Sequence, residues 1–458
     1  MLEPLLRATA ERHREAPFLL DAGGSLSYSE FFTQCRDLAT HLAGLEAERV
    51  ACHMADSQQL VMLMLAMGMS GKSLLVLSHD FNATQLDKVL RRYDVDVLVT
   101  DAGHDTEAPC AEVPCKTVSF AKLCTPSGDS TGLAGCDGEI RILTSGTTGE
   151  PKCARYNWAD LFAQVNTSAQ AQGARWLLAY RLNHFAGLQM LVHVLMHGSA
   201  LVLPDSTRVA DALRAIEEFG VTHVSSTPTF WRYALATLAR SDADLALTHI
   251  TLGSEPVSAE LLNQLKQTFP AARIVHVYAS TEAGSCVSVS DMLPGLPVSI
   301  LDRGADASIQ FRIVDDELHV RSQHGMRDYA GTDEVVSRDD EGWLATGDLV
   351  TVENGRIMFL GRRSETINVG GVKVHPLEVE NRISALSEVE LARAYGQENP
   401  VVGQIVAVDV VPVAGVSGQE AEKLIREACS TLGRHARPRV INVVDALETN
   451  NFKIKRNT

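Results

Sequence analysis

RVACHMADSQQLVMLMLAMGMSGKSLLVLSHDFNATQLDKVLRRYDVDVLVT, residues 49–100, alternates short β-branched runs with helical patterns. RVACHM is followed by the apolar segment LVMLMLAMGM (60–69), then SLLVLS, the amphipathic ATQLDKVLRRY and finally VDVLVT. Parallel strands joined by crossover helices require this order, so the stretch predicts a doubly wound α/β sheet. The apolar segment is ten residues long, well short of the roughly 20 that a membrane-spanning helix needs. It reads as a buried helix. Gly71, Lys72 and Ser73 look like the end of a Walker loop, but Ala66 stands where that motif places glycine, and the triplet follows a helix instead of opening one.

Outward from this stretch the pattern fades and returns. Residues 108–138 are irregular and end in TPSGDSTGLAGCDG, which reads as a surface connection; Asp129 and Ser130 within it look like a carrier-domain serine site but have no helical pattern after them. EIRILT (139–144) resumes the strands. From Arg175 a second alternation follows, through ARWLLAY, GLQMLVHVLMHG, SALVLP, RVADALRAIEEFG and VTHVSS, and predicts a second sheet packed on the first. After Pro294, SIQFRIV, ELHVRS, WLATGDLVTV and GRIMFLG predict a smaller β-rich unit. Beyond Gly361 a compact α+β segment carries the strands IVAVDVVPV and RVINVVDAL and the helix GQEAEKLIREACSTLG.

The 458 residues exceed what one hydrophobic core normally serves, so two or more domains are expected. The net charge of -16, from 57 acids against 41 bases, argues against a protein that holds nucleic acid by charge. The nine cysteines, Cys35, Cys52, Cys110, Cys115, Cys124, Cys136, Cys153, Cys286 and Cys429, form no CxxC pair and read as reduced thiols of a cytoplasmic protein. The first residues, MLEPLLRATAERHREAP, form a charged helix with Leu2, Leu5 and Leu6 on one side, unlike a secretory leader. No HExxH, His/Cys cluster or nucleophile elbow is present.

Residues 142–152, ILTSGTTGEPK, run a buried strand directly into a loop of glycines and hydroxyls closed by a lysine. Glycines let consecutive backbone N–H groups converge on an anion, hydroxyls add donors and Lys152 adds charge. The loop reads as a phosphate cradle. It resembles the phosphate-binding signature of the adenylate-forming superfamily, which includes acyl-CoA synthetases, peptide-synthetase adenylation domains and luciferases. Further motifs of that superfamily follow in order: GSEP at 253–256, YASTEAG at 278–284, TGD at 346–348, GRRSETINVGGVKVHPLEVE from Gly361, and NNFKIKR at 450–456.

The resemblance implies a large N-terminal adenylation domain, residues 1–361, and a small mobile C-terminal domain, 362–458, that carries the catalytic lysine. It implies ATP and Mg²⁺ as cofactors and attack of a carboxylate on the α-phosphate. Thr144, Ser145, Gly146, Thr147, Thr148, Gly149 and Lys152 would hold the β- and γ-phosphates. Gly253, Ser254, Glu255 and Pro256 match the adenine turn, and Tyr278, Ala279 and Ser280 lead into Thr281 at the α-phosphate and Glu282 on Mg²⁺. Tyr278 would stack on adenine, Asp348 and Arg362 would hold the ribose, and Lys373 matches a basic position near the phosphates. Lys453 would bridge carboxylate and phosphate oxygens in the transition state, although Phe452 replaces the motif's usual glycine. Ser364 stands at the hinge, where Asp or Lys is common, and Gly370 and Gly371 resemble the strand lining the thiol tunnel.

Amino-acid-activating members carry an aspartate where this chain reads NHFAGLQ. Without a carboxylate partner a buried ammonium is costly, so an uncharged acyl or aryl acid is expected, with a slight preference for aryl. His184 resembles the gate of the acid pocket, with Phe185, Gly253, Ser254, Val277 and Ala279 as walls. The acceptor is either coenzyme A or the phosphopantetheine arm of a free-standing carrier protein; Arg434, Arg437, Arg439, Lys453, Lys455 and Arg456 offer a basic face for the latter. A non-catalytic adenylate sensor is the remaining reading, and the presence of Glu282, Asp348 and Lys453 speaks against it. No nucleic acid and no membrane partner is expected.

Overall fold

The computed structural model describes residues 2–101, 115–124, 133, 137–144, 151–165, 173–241, 243–331, 338–450 and 453–454. The 49–100 stretch folds as its alternation predicts. Arg49–His53, Ser73–Val76 and Val97–Thr100 are parallel neighbours, extended by Lys116–Ser119 on one side and Glu139–Thr144 on the other. Lys152–Asn157 and Asp328–Ala330 add antiparallel strands and complete a seven-stranded sheet.

The second sheet has eight strands. Its parallel centre runs Arg273–Ser280, His249–Leu252, His223–Ser226, Arg175–Leu177, Ala200–Val202 and Pro17–Asp21, with Gly284–Val289 and Gly24–Ser27 antiparallel at the edges. The N-terminal strands therefore cross to the second sheet, a pairing that local periodicity does not disclose. Arg175–Leu177 is shorter than the ARWLLAY run.

The helices Ser57–Met69 and Phe185–His197 are apolar almost all round, as a helix enclosed between layers should be. Their side chains join residues of both sheets in one continuous core. Gly68 permits the closest approach there, since a Cβ on it would lie 2.5 Å from Trp158 Nε1 and 2.6 Å from Leu2 Cδ2. Lys72, set aside as a Walker lysine, donates to the carbonyls of Leu45 (2.5 Å) and Ala47 (3.2 Å).

The strand patterns after Pro294 form a five-stranded antiparallel sheet, Leu296–Pro297, Arg356–Arg362, Leu344–Glu353, Glu317–Ser322 and Ile309–Val314. The last sheet contains Val372–Val374, Ile367–Val369, Gly403–Pro412 and Val389–Asn399, with Val440–Val443 parallel to Gly403–Pro412. Val369 pairs with Val372 across Gly370 and Gly371, whose φ values of 59° and 89° are the positive pair a two-residue hairpin turn demands. Leu391, Val411 and Leu447 pack on Tyr233 of the Pro228–Leu238 helix, docking this lobe on the second sheet's helical layer. Among the described residues no helix is long and apolar enough to cross a membrane. The described cysteines are free thiols, most of them buried. Asp129 and Ser130 lie outside the described residues.

Candidate active site

Thr144 and Lys152 face each other across the hairpin of Glu139–Thr144 and Lys152–Asn157, and the Thr144 hydroxyl donates to the Lys152 carbonyl at 3.4 Å. Ser145, Gly146, Thr147, Thr148 and Gly149 lie outside the described residues. Lys152 places its ammonium 5.4 Å from the centre of the Tyr329 ring, a cation–π geometry. The Tyr329 hydroxyl in turn donates to Glu282 Oε1 at 2.6 Å. The lysine of the cradle and the carboxylate of the YASTEAG turn are thus joined through one tyrosine.

That turn is held from several sides. Tyr156 donates to the Thr281 carbonyl at 2.8 Å, Met326 N–H to the same carbonyl at 3.3 Å, and Arg338 to the Glu282 carbonyl at 3.3 Å. Gly325, at φ +116°, has its Cβ position 2.3 Å from the Glu282 carbonyl oxygen, so no side chain fits there. Ser280 accepts from Ala283 N–H at 3.0 Å. Tyr156 stacks on Phe185 (5.5 Å, 19°). Burial, and then the Glu282 carboxylate, hold the Tyr156 phenol well above the ordinary tyrosine value, so it stays a neutral donor.

Asp348 is gripped at both oxygens. Tyr278 donates to Oδ2 at 2.7 Å and Arg362 Nε lies 2.8 Å from Oδ1, with Asp348 and Arg362 in cross-strand register. The carboxylate side chain is 13 % exposed. Burial, and then Asp348, raise the Tyr278 phenol well above its usual value. One face of the Tyr278 ring packs on Phe359 (5.3 Å, 25°). Behind this group Glu317 accepts from Gly347 N–H at 2.7 Å with one oxygen and from Arg363 Nη2 at 2.6 Å with the other.

At the acid side, His184 stands at the residue before Phe185–His197 without a side-chain capping bond, and Phe185 is buried. Val277 and Ala279 share one face of Arg273–Ser280, as the period of two dictates. A Cβ on Gly253 would lie 3.3 Å from the Tyr180 hydroxyl, so this glycine borders open space narrowed by a phenol. Ser254, at φ 69°, turns the chain sharply. The Glu255 carboxylate engages Thr229, accepting from its N–H and hydroxyl at 3.0 Å each at the start of Pro228–Leu238. These two bonds orient the carboxylate at the helix start and leave lone pairs on both oxygens.

In the C-terminal lobe, Ser364 is exposed in the turn Arg363–Glu365, and Lys373 is exposed on Val372–Val374. Lys453 lies on Lys453–Ile454, paired with Thr449–Asn450, and this short hairpin runs against the Pro228–Leu238 helix. The sequence reading missed Tyr156, Tyr180, Tyr329, Glu317 and Arg338, because each acts through a contact distant in sequence. Among the described residues no group of three or more His, Cys, Asp or Glu side chains is placed to hold a metal by itself.

A family model described as AMP-binding enzyme matches residues 6–329, and one described as AMP-binding enzyme C-terminal domain matches 378–453. The chain belongs to this family of AMP-binding, adenylate-forming proteins. A 2-succinylbenzoate–CoA ligase of Bacillus velezensis is 29% identical over 328 residues, 68% of this chain and 65% of that protein's length. A feruloyl-CoA synthase of an Amycolatopsis species is 27% identical over 474 aligned residues, 97% of this chain and 95% of that protein. The fold is shared with o-succinylbenzoate CoA synthetase from Bacillus subtilis in complex with its acyl-adenylate (TM-score 0.80, 23% identity, 99% of this chain and 96% of that one). It is shared also with an anthranilate CoA ligase in complex with anthranoyl-AMP (TM-score 0.86, 19% identity, 99% and 95%).

Proposed function

We propose that this chain is an ATP-dependent, AMP-forming acid–thiol ligase. A carboxylate oxygen attacks the α-phosphorus of ATP and pyrophosphate leaves; the thiol sulfur of coenzyme A then attacks the acyl carbon and AMP leaves. The observation that carries this reading is the pairing of two groups around the turn 278–282: Asp348 held by Tyr278 and Arg362, and Glu282 linked through Tyr329 to Lys152. Asp348, fixed at both oxygens, keeps further lone pairs for the vicinal hydroxyls of a ribose. Glu282 offers a hard oxygen, and a single carboxylate plus phosphate oxygens is a donor set that suits Mg²⁺. Lys152, Thr144 and the loop between them supply donors to phosphate, and Thr281 serves the α-phosphate.

In this reading the adenylation domain comprises residues 1–361 and the lid 362–458, hinged at Ser364, with Lys453 bridging the reacting anions. The acid is a small carboxylic acid, entering past His184 and Phe185 to Gly253, Val277 and Ala279. The family relatives named above act on coenzyme A, which supports it as the acceptor; a carrier-borne phosphopantetheine presents the same thiol, and the assay separates them. The free thiols of the described cysteines suit a cytoplasmic setting. Pyrophosphate release with ATP and Mg²⁺, across aryl, short-chain and medium-chain acids and amino acids, with and without coenzyme A, tests the proposal. Multiple turnover only with coenzyme A supports it. Failure of every acid in a protein that still binds ATP overturns it.

A further inference from the structure

Between the Phe185–His197 helix and the second sheet lies a cluster that the adenylation chemistry does not use. Trp176 contacts His193 (ring centres 4.9 Å apart), His223 (4.7 Å) and His249 (5.7 Å). His223 and His249 are partners in register on adjacent parallel strands, with rings 5.3 Å apart and nearly parallel at 12°. Trp176 is 5% exposed. Its Nε1 and the Nε2 of His193 are both enclosed without a hydrogen-bond partner among the described residues. Enclosed polar atoms are almost always paired, so two orphans in one cluster leave an unmet polar demand, which a group entering from the partly accessible His223 and His249 side would meet.

The cluster stands on the same sheet face as the candidate acid site. His249, Thr251 and Gly253 alternate onto one face, as do His223 and Ser225. These five residues are partly accessible, whereas Val224, Ile250 and Leu252 between them are sealed. From Gly253 to His249 is four residues of strand, about 13 Å at roughly 3.3 Å each. From His184 to His193 is nine residues of helix, about 13.5 Å at roughly 1.5 Å each. The two segments are similar in length, and the Trp176 ring joins their histidine ends.

We infer that Trp176, His193, His223 and His249 form the far end of the acid pocket and take a neutral hydrogen-bonding group, a hydroxyl or carbonyl, at the distal end of an elongated aryl acid. This rests on the reading of the site as an acid-activating one. A distal carboxylate fits less well. Of the nearby cations, Arg175 gives a nitrogen to the Phe219 carbonyl, and Arg273 is exposed at the outer end of its strand. A buried anion would lack a partner.

The test compares p-hydroxycinnamate, cinnamate and p-carboxycinnamate as probes. In pyrophosphate release, His193→Leu should lower the p-hydroxycinnamate to cinnamate ratio of kcat/KM by about tenfold, and His193→Gln should restore part of it. The emission of Trp176, isolated as the difference between the native protein and Trp176→Phe, should change on titration with p-hydroxycinnamate. The fluorescence requires no turnover, so a response there supports the pocket even if pyrophosphate release fails. A Trp176 signal indifferent to all three acids overturns the inference even if other acids are activated. An unaltered ratio in His193→Leu, or preference for p-carboxycinnamate, overturns the chemistry assigned to the cluster.

Discussion

Tyr278 gives its hydroxyl hydrogen to Asp348 Oδ2 at 2.7 Å, leaving Arg362 to hold the other oxygen. The tyrosine thus orients a carboxylate in addition to any ring contact it makes. Tyr278→Phe keeps the ring and its packing on Phe359 but removes the donor. A hydrogen bond to a charged group contributes about 1.5–3 kcal/mol, so ATP affinity should fall by roughly tenfold or more while the acid KM stays near its native value. Calorimetric titration with a non-hydrolysable ATP analogue checks this; an unchanged Kd refutes the positioning role.

Glu282→Gln removes the negative charge at the carboxylate that Tyr329 holds. Adenylation should fall by about a hundredfold or more, because phosphoryl transfer relies on charge placed around the phosphates. The Mg²⁺ concentration for half-maximal rate should rise. Tyr329→Phe should give the same direction with a smaller loss. A Mg²⁺ dependence identical to the native one in Glu282→Gln would remove this residue from the metal site.

Lys453→Ala should reduce acyl-adenylate formation by at least about 3 kcal/mol in transition-state terms, with ATP binding retained. Thioester formation from synthetic acyl-adenylate should suffer less. Stopped-flow measurement of the two half-reactions separates them, and equal losses in both would count against a lysine that serves only the first.

Acid should destabilise the protein through its histidines. Burial pulls His193 down to about 3, His223 to about 4 and His249 to about 4, with neighbouring histidines adding to the shift of His193 and His223 and Arg273 adding to that of His249. Each folded value lies below the unfolded value of about 6.5. Between these limits the unfolded chain binds more protons, so stability is intact above pH ~6.5 and declines as pH falls toward about 4. Urea unfolding at several pH values should show the decline, and His193→Leu combined with His249→Leu should make it shallower. An equally steep decline in the double variant would assign the effect to the carboxylates.

Much of the architecture was legible in the sequence because it rests on short-range patterns. The apolar segment 60–69 could only be a helix enclosed between layers, and it is. The ordered motifs singled out Thr144, Lys152, Glu282, Asp348 and Arg362, which the fold carries on the strands Glu139–Thr144, Lys152–Asn157, Leu344–Glu353 and Arg356–Arg362 and on the turn after Ser280, since glycine, hydroxyl and acid spacing is itself local. What escaped was long-range. Pro17–Asp21 joins a strand made almost two hundred residues later, Leu19 pairing with Leu201. Tyr329 meets Glu282 and Lys152 only after the chain has folded back. The histidines at 193, 223 and 249 read as isolated residues along the sequence and become neighbours only when two strands and a helix meet.

Glu317 has one oxygen on the N–H of Gly347, beside Asp348, and the other on Arg363, immediately before Ser364. Its side chain is 10 % exposed, that of Arg363 53 %. If the C-terminal lobe swings about the Arg363–Glu365 turn, as proposed above, movement of Arg363 breaks this tie and loosens the turn that carries Asp348. With nucleotide held by Asp348 as proposed, occupancy and lobe orientation would share one free-energy term, and by reciprocity each would bias the other by the same factor. For an ion pair this accessible the term is about 1 kcal/mol at most, or roughly fivefold. A tie of this size would favour one orientation with nucleotide bound and still be released by each swing of the lobe.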